Sequence, residues 1–397
     1  MIPLTELKKL IPASTLDKLA AEYHVDKANQ VKLPGQTMFL CLLNGLVNHF
    51  MLTLRLLETQ YSLITGQSCD HSAFGKRLSS IDPEFFHAIY VHLCDKISPS
   101  ITKGDAQSLK LRIVDPVTIT LSSKLLSFGI KVDYKKRGSA NHVKSVIELD
   151  NNGIPDLLHV CTDKSEICDS VSMGSAMETT AKPNDLFIFD RGCNQLKKLF
   201  SIHNKKAFWL TPHHRQSFKV VETLMESDSS VPQALPETEQ DNCRIHRVEL
   251  AYFDNGAFHK LHNLNTMKII VIQCYRFDSR KNEWKPLVLI TNLPVSEDKT
   301  MAGIYTFEEL PCLYKRRWEI ETFFKFIKQH LGYEHLINRS ENGIRVMIYM
   351  TLISALMLIW YKNRMNIKTG WRSVKYMFSE QIRDWTAKSI KSMVVQT

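Results

Sequence analysis

The 397-residue chain reads as an α/β protein, with an all-α N-terminal domain ahead of a mixed core that a mainly β insertion interrupts. Three observations predict this. Apolar spacing changes from helical to alternating near Leu111. A buried strand candidate, Asp185–Asp190, ends in a carboxylate long before the last strongly amphipathic helix, which carries Glu321. Between them lies far more chain than a strand-to-helix link needs, and it is rich in β-prone runs.

Residues 1–105 form the helical domain. Pro34-Gly35-Gln36 opens an apolar segment, Met38–Leu56, with the length of a buried helix. Asp70-His71-Ser72 offers an N-cap before Ala73–Leu78, and Asp82-Pro83 starts another helix with proline in its first turn. A helix, turn and helix bearing Lys76 and Arg77 suits contact with DNA; a plain bundle with a solvated basic edge suits it equally.

Residues 106–203 are the first part of the core. Leu111–Asp115 is a strand that runs into Pro116, and Val117, Ile119 and Leu121 alternate with threonines as another. Ile130–Val132, His142–Leu149 and Ile154–Cys161 follow as strands, with a tight turn at Asp150-Asn151-Asn152-Gly153. Ser170–Thr180 reads as a helix and Lys182-Pro183-Asn184 as a break. After Asp190, Arg191–Asn194 is the turn out and Gln195–Ile202 a helix.

Residues 204–306 are the β-rich insertion. Its strand candidates are Phe208–Thr211, Arg244–Phe253, Met267–Phe277 and Trp284–Thr291. Turns fall at Asp254-Asn255-Gly256 and Asp278–Asn282, and Glu226–Gln240 is an acidic loop. Residues 307–365 resume the core with one amphipathic helix, Leu313–Leu331, and a core helix, Asn342–Tyr361; residues 366–397 form a basic tail. Strands, a helix, a strand ending in Asp and a late helix bearing Glu is the order of a ribonuclease H-like catalytic core.

Lysine and arginine number 51 against 41 acids, a formal charge of +10, which favours a polyanionic partner. The nine cysteines include no Cys-x2-Cys, so neither a zinc knuckle nor a disulfide framework is expected, and a reducing cytoplasm fits. Met1–Glu6 lacks the basic and apolar pattern of a secretory signal. The longest apolar run, Val346–Tyr361, is short for a membrane span and is interrupted by Tyr349, Thr351 and Ser354, which predicts a buried helix and no membrane partner.

On a helix advancing 100° per residue from Tyr314, Arg317, Glu321 and Lys328 fall at roughly 300–340°, a stripe beside the apolar face of Ile320, Phe324, Ile327 and Leu331. An Arg–Glu pair at this spacing is common on exposed helices. The whole spacing, Tyr-x2-Arg-x3-Glu-x6-Lys, is not. With Leu313 before it, Arg317-Trp318-x-Ile320-Glu321 across it and Lys328-Gln329-His330-Leu331 after it, the chain resembles the insertion-sequence-four family of bacterial DDE transposases. The resemblance covers about residues 105–360.

It implies a ribonuclease H-like catalytic core with Asp115, Asp190 and Glu321 as the carboxylates that hold two Mg²⁺ or Mn²⁺ ions, hard cations that prefer oxygen ligands. It implies that Tyr314, Arg317 and Lys328 bind phosphate near the cleaved DNA end, that Trp318 stacks on end nucleotides, and that the N-terminal domain recognises the element's terminal inverted repeats. Cleavage at the 3′ end and attack of the freed hydroxyl on target DNA follow, with no small-molecule cofactor. Synapsis of two ends implies at least a dimer on DNA. Four positions depart from the family's habit: Pro116 after the first Asp, Val146 two residues after Lys144, Cys168 before Asp169, and Cys193 three residues after Asp190. None removes an expected metal ligand. Two other readings stay open: a nuclease or resolvase that cuts without joining, and an inactive DNA-binding derivative.

Overall fold

Helices give way to a ten-stranded sheet at Lys110, one residue before the change in apolar spacing. The computed structural model describes residues 4–26, 33–101, 109–121, 130–134, 138–161, 163–193, 195–213, 218–236, 242–254, 266–298 and 300–396. The N-terminal helices are α1 (Leu4–Leu10), α2 (Ala13–Glu22), α3 (Gly35–Asn48), α4 (Leu54–Thr65), α5 (His71–Ser80) and α6 (Pro83–Ile101). Next come β1 (Lys110–Leu121), β2 (Ile130–Tyr134), β3 (Gly138–Asp150), β4 (Pro155–Cys161), α7 (Asp169–Thr180), β5 (Asp185–Ile188) and α8 (Leu196–Asn204). The strands β6 (Phe208–Pro212), β7 (Phe218–Glu226), β8 (Cys243–Phe253), β9 (Lys268–Asp278) and β10 (Glu283–Thr291) follow. The chain closes with α9 (Glu309–Lys315), α10 (Trp318–His330), α11 (Glu341–Arg364) and α12 (Trp371–Gln396). These elements fall into two units, one of residues 1–103, 118–143 and 322–397, the other of residues 104–117 and 144–321.

In the first unit α11 is the core helix. Ser340 caps it, accepting from Gly343 N at 3.1 Å, and α3, α5, α6 and α12 pack around it. It is the one helix among the described residues long and apolar enough to cross a membrane, yet 94% of its most apolar window is buried in the fold. Residues 366–397, expected to be a tail, mostly form α12, because Val374, Phe378, Ile382, Trp385 and Ile390 recur at helical spacing and are all buried. The apolar run Met38–Leu56 is two helices rather than one. The backbone turns extended at His49, and Thr53 recaps the chain by accepting from Leu56 N at 3.2 Å.

The sheet order is β2-β3-β1-β5-β6-β10-β9-β8-β7, with β4 also paired to β3 and with β1, β5 and β6 parallel. β1 continues through Pro116 instead of ending there. Its last recorded pair with β5 is Ile113↔Ile188, so the missing proline N–H costs that ladder nothing. The turn after β3 forms as expected: Gly153 takes φ +73, and Asp150 Oδ1 accepts from Asn152 N and Ile154 N at 2.8 and 2.9 Å. Asn255 and Gly256, and the end of the expected loop Glu226–Gln240, lie outside the described residues.

The insertion is not a separate sheet. β6 already belongs to the core, pairing with β5 in parallel, and β10 adds antiparallel to β6, so β7–β10 prolong the core sheet. Asn292 fastens the join: its Oδ1 accepts from Trp209 N at 2.8 Å and its Nδ2 donates to Ala207 O at 3.0 Å, all buried. Asn292→Ala strands a backbone donor and an acceptor, and is expected to cost about 2–3 kcal/mol in chemical denaturation.

Candidate active site

β1 and β5 pair in parallel from Lys110↔Asp185 to Ile113↔Ile188, two residues short of Asp115 and Asp190. The charge of Asp190 reaches the Asp115 carboxyl. Just past β5, Asp190 Oδ1 accepts from Arg191 N at 2.8 Å, which fixes that carboxylate at the strand end.

The third carboxylate comes from the signature segment. This is not one helix: α9 ends at Lys315 and α10 starts at Trp318, with Arg316 and Arg317 forming a tight turn between them. Arg316 N and Arg317 N bond back three residues, to Leu313 O and Tyr314 O at 3.1 and 3.0 Å. Arg316 is held by Glu319 at 2.7 Å and donates to Asn151 O at 2.9 Å. Asn151 Oδ1 in turn accepts from Leu111 N at 2.6 Å. One turn thus fastens both the strand that carries Asp115 and the segment that carries Glu321.

Arg317 is buried, at 9% exposure, and its Nη1 meets Glu321 Oε1 at 2.6 Å; its Nε is buried with no hydrogen-bond partner. Trp318 is 44% exposed, and the Arg317 guanidinium lies 5.3 Å from its ring centre. Burial pushes the Tyr314 phenol up to about 12, against the pull of Arg317. A cleft of about 470 Å³ beside these residues is lined by Tyr314, Lys315, Trp318, Cys312, Arg276 and Arg280, among others.

Asp115 registers the whole group. Burial pushes its carboxyl up to about 7; Arg317 opposes this, while Glu321, Asp169 and Asp190 add to it. Asp169, the first residue of α7, is paired with buried Lys144 at 2.5 Å. The sign of the resulting pH dependence is fixed. A carboxyl that titrates higher in the fold than in the unfolded chain favours folding at low pH, and that advantage is lost as pH rises from about 4 through about 7. In EDTA, wild type is expected to lose a few kcal/mol relative to Asp115→Asn across this window, measured as paired denaturant curves at pH 4 and pH 8.

The donor set fits hard divalent cations, since three carboxylates offer only oxygen and Asp115 carries unneutralised charge around it. Among the described residues, Asp115, Asp190 and Glu321 are not a triplet whose ligand atoms all lie within 4.8 Å of one another. One ion cannot be shared by all three as they stand. A pair of ions divided among the three carboxylates would need no such closure.

Lys328 is seven residues beyond Glu321 on α10, falls in the first unit, and pairs with Glu334 at 2.9 Å. Lys76 is exposed on α5. Arg77 does not serve DNA as expected. It is 6% exposed, pairs with Asp26 at 2.9 Å, and donates to Leu33 O and Val25 O at 3.0 and 2.8 Å, so its guanidinium is spent inside the helical unit.

Sequence reasoning missed the support beneath the carboxylates. Arg112, on β1, donates to Glu148 Oε2 at 2.6 Å, to Asp185 Oδ2 at 2.7 Å and to Thr180 O at 3.0 Å, and lies 4.6 Å from the Phe187 ring centre. All three charged groups are buried. The signal was present in Leu111-Arg112-Ile113-Val114, where a charge interrupts an apolar strand.

An aspartate on β1, a second just past the parallel strand β5 and a glutamate beside an arginine define a class, the acidic centre of a mixed α/β sheet protein. The chain belongs to the transposase DDE domain family, whose model matches residues 107–357. It is 32% identical over 129 residues, 29% of this chain and 38% of the relative, to a protein of Synechocystis sp. assigned as transposase for insertion sequence element IS4SA. It is 26% identical over 254 residues, 62% of this chain and 60% of the relative, to one of Sinorhizobium fredii assigned as transposase y4zB. The chain thus spans between about two-fifths and three-fifths of the length of these curated relatives. Among solved structures, a piggyBac transposase synaptic complex with hairpin DNA superposes at a TM-score of 0.45 with 9% identity, covering 98% of this chain and 81% of that one.

Proposed function

We propose that this chain is the transposase of a bacterial insertion sequence of the insertion-sequence-four kind, binding its own terminal inverted repeats, cutting at their 3′ ends and joining them to target DNA. The observation that carries the reading is the transposase DDE domain match over residues 107–357, which contains the full Tyr314-x2-Arg317-x3-Glu321-x6-Lys328 spacing. Asp115, Asp190 and Glu321 are the residues to hold Mg²⁺ or Mn²⁺, which when bound activate water and neutralise charge on the attacking and leaving oxygens.

The chain's own residues do the rest. Arg317 has a buried Nε without a partner, a donor suited to a phosphate oxygen of the DNA end. Its Nη1 pairs with Glu321 at 2.6 Å, so one guanidinium adjoins both the carboxylate proposed to hold metal and the phosphate proposed to bind at Nε. Trp318 offers an exposed ring for stacking, and the adjoining cleft can receive an unstacked base. Lys328 and Lys76 add phosphate contacts, and two ends brought together require at least two copies of the chain.

A strand-transfer assay with Mg²⁺ and the flanking repeats tests this. Joined products are expected; cutting without joining favours a nuclease, binding alone an inactive derivative, and either overturns the proposal. Arg317→Ala is expected to slow cleavage about a hundredfold, with a much smaller change in repeat affinity by gel shift.

A further inference from the structure

A second cluster of ligating side chains lies outside the carboxylate centre. On β4, His159 and Cys161 are two residues apart and so share a face of the strand. Glu166, in the short 3-10 turn Lys164–Ile167, closes the group: its Oε1 lies 2.6 Å from His159 Nε2. The ligand atoms of His159, Cys161 and Glu166 all lie within 4.8 Å of one another.

The geometry is built. Glu166 Oε2 accepts from Asp163 N at 3.0 Å in a capping box, while Asp163 Oδ1 accepts from Ser165 N at 2.8 Å. This holds the carboxylate so that its other oxygen faces His159. Cys161 is fully buried, and the His159 side chain is 38% exposed, so the cluster has a closed floor and an open rim. Lys144, whose charge reaches Cys161, opposes a cation here, but it is already matched by Asp169 at 2.5 Å and by Ile167 O at 2.7 Å.

One nitrogen, one sulfur and one oxygen are a poor set for Mg²⁺ and a good one for Zn²⁺, which takes such ligands at about 2.0–2.3 Å. We propose that His159, Cys161 and Glu166 bind one Zn²⁺ ion, with water from the exposed rim in the fourth position. The thiol gives up its proton to solvent as the ion binds, so the thiolate and carboxylate together balance the dication. The site pins β4 to the turn that leads into Asp169, and it does not depend on the transposition reading.

Co²⁺ titration of the EDTA-treated full chain tests the proposal, because cobalt bound by a thiolate gives a charge-transfer band in the near ultraviolet. One equivalent is expected to give the band, and Zn²⁺ to displace it. Cys161→Ser is expected to abolish it, and His159→Gln, at a more exposed position, to weaken cobalt binding at least about tenfold. Asp190→Asn is expected to leave the band intact. No stoichiometric band, a band that survives Cys161→Ser, or one lost in Asp190→Asn would each overturn the assignment.

Discussion

Glu321→Gln is expected to lower cleavage and joining about a thousandfold or more while leaving binding to the terminal repeats nearly unchanged. The change keeps shape and removes charge. Metal assistance contributes several kcal/mol to a phosphoryl-transfer barrier, and each 1.4 kcal/mol is about tenfold in rate. Glutamine keeps an oxygen that can accept from the Arg317 guanidinium, so the variant should stay folded. Asp190→Asn belongs to the same class. A gel-shift and strand-transfer pair on one preparation separates the catalytic loss from a loss of binding; repeat affinity falling in parallel with rate would remove Glu321 from the chemistry.

Arg112→Met is expected to destabilise the second unit by about 3–5 kcal/mol, since it leaves Glu148 and Asp185 buried without their cation. By strand alternation Arg112 points to the face of the sheet opposite Asp115, so it touches none of the proposed chemistry. It joins β1 to β3 and to β5, the strands that lead into Asp115 and Asp190. Burial keeps Glu148 above the usual carboxylate range even though Arg112 pulls it down. Denaturant unfolding measures the loss. A double change, Arg112→Met with Glu148→Gln, should recover part of it, because one stranded charge is then gone.

The places of Asp190 and Glu321 in the fold were legible for local reasons. Asp190 closes an apolar strand before Arg191-Gly192, and Glu321 sits within a spacing that four residue types share. The break at Arg316–Arg317 was not. Every residue there tolerates a helix, and the turn is imposed from outside, by Asn151 gripping Arg316 from 165 positions away in sequence. Arg77 was misread for the same reason. A charge beside an exposed lysine looks solvated until Asp26, Val25 and Leu33, distant in sequence, turn out to surround it. Pro116 looked like a strand end because sequence shows the missing donor but not that β1 has already left its pairing with β5. The cluster of His159, Cys161 and Glu166 matches no familiar spacing, since a strand supplies two ligands and a capped turn the third.

The most direct test of the central claim is anomalous diffraction from the chain bound to its terminal-repeat DNA in Mn²⁺. The expected result is two peaks about 3.5–4 Å apart, held by Asp115, Asp190 and Glu321. Manganese that avoids Glu321, or that collects away from Asp115 and Asp190, would contradict it.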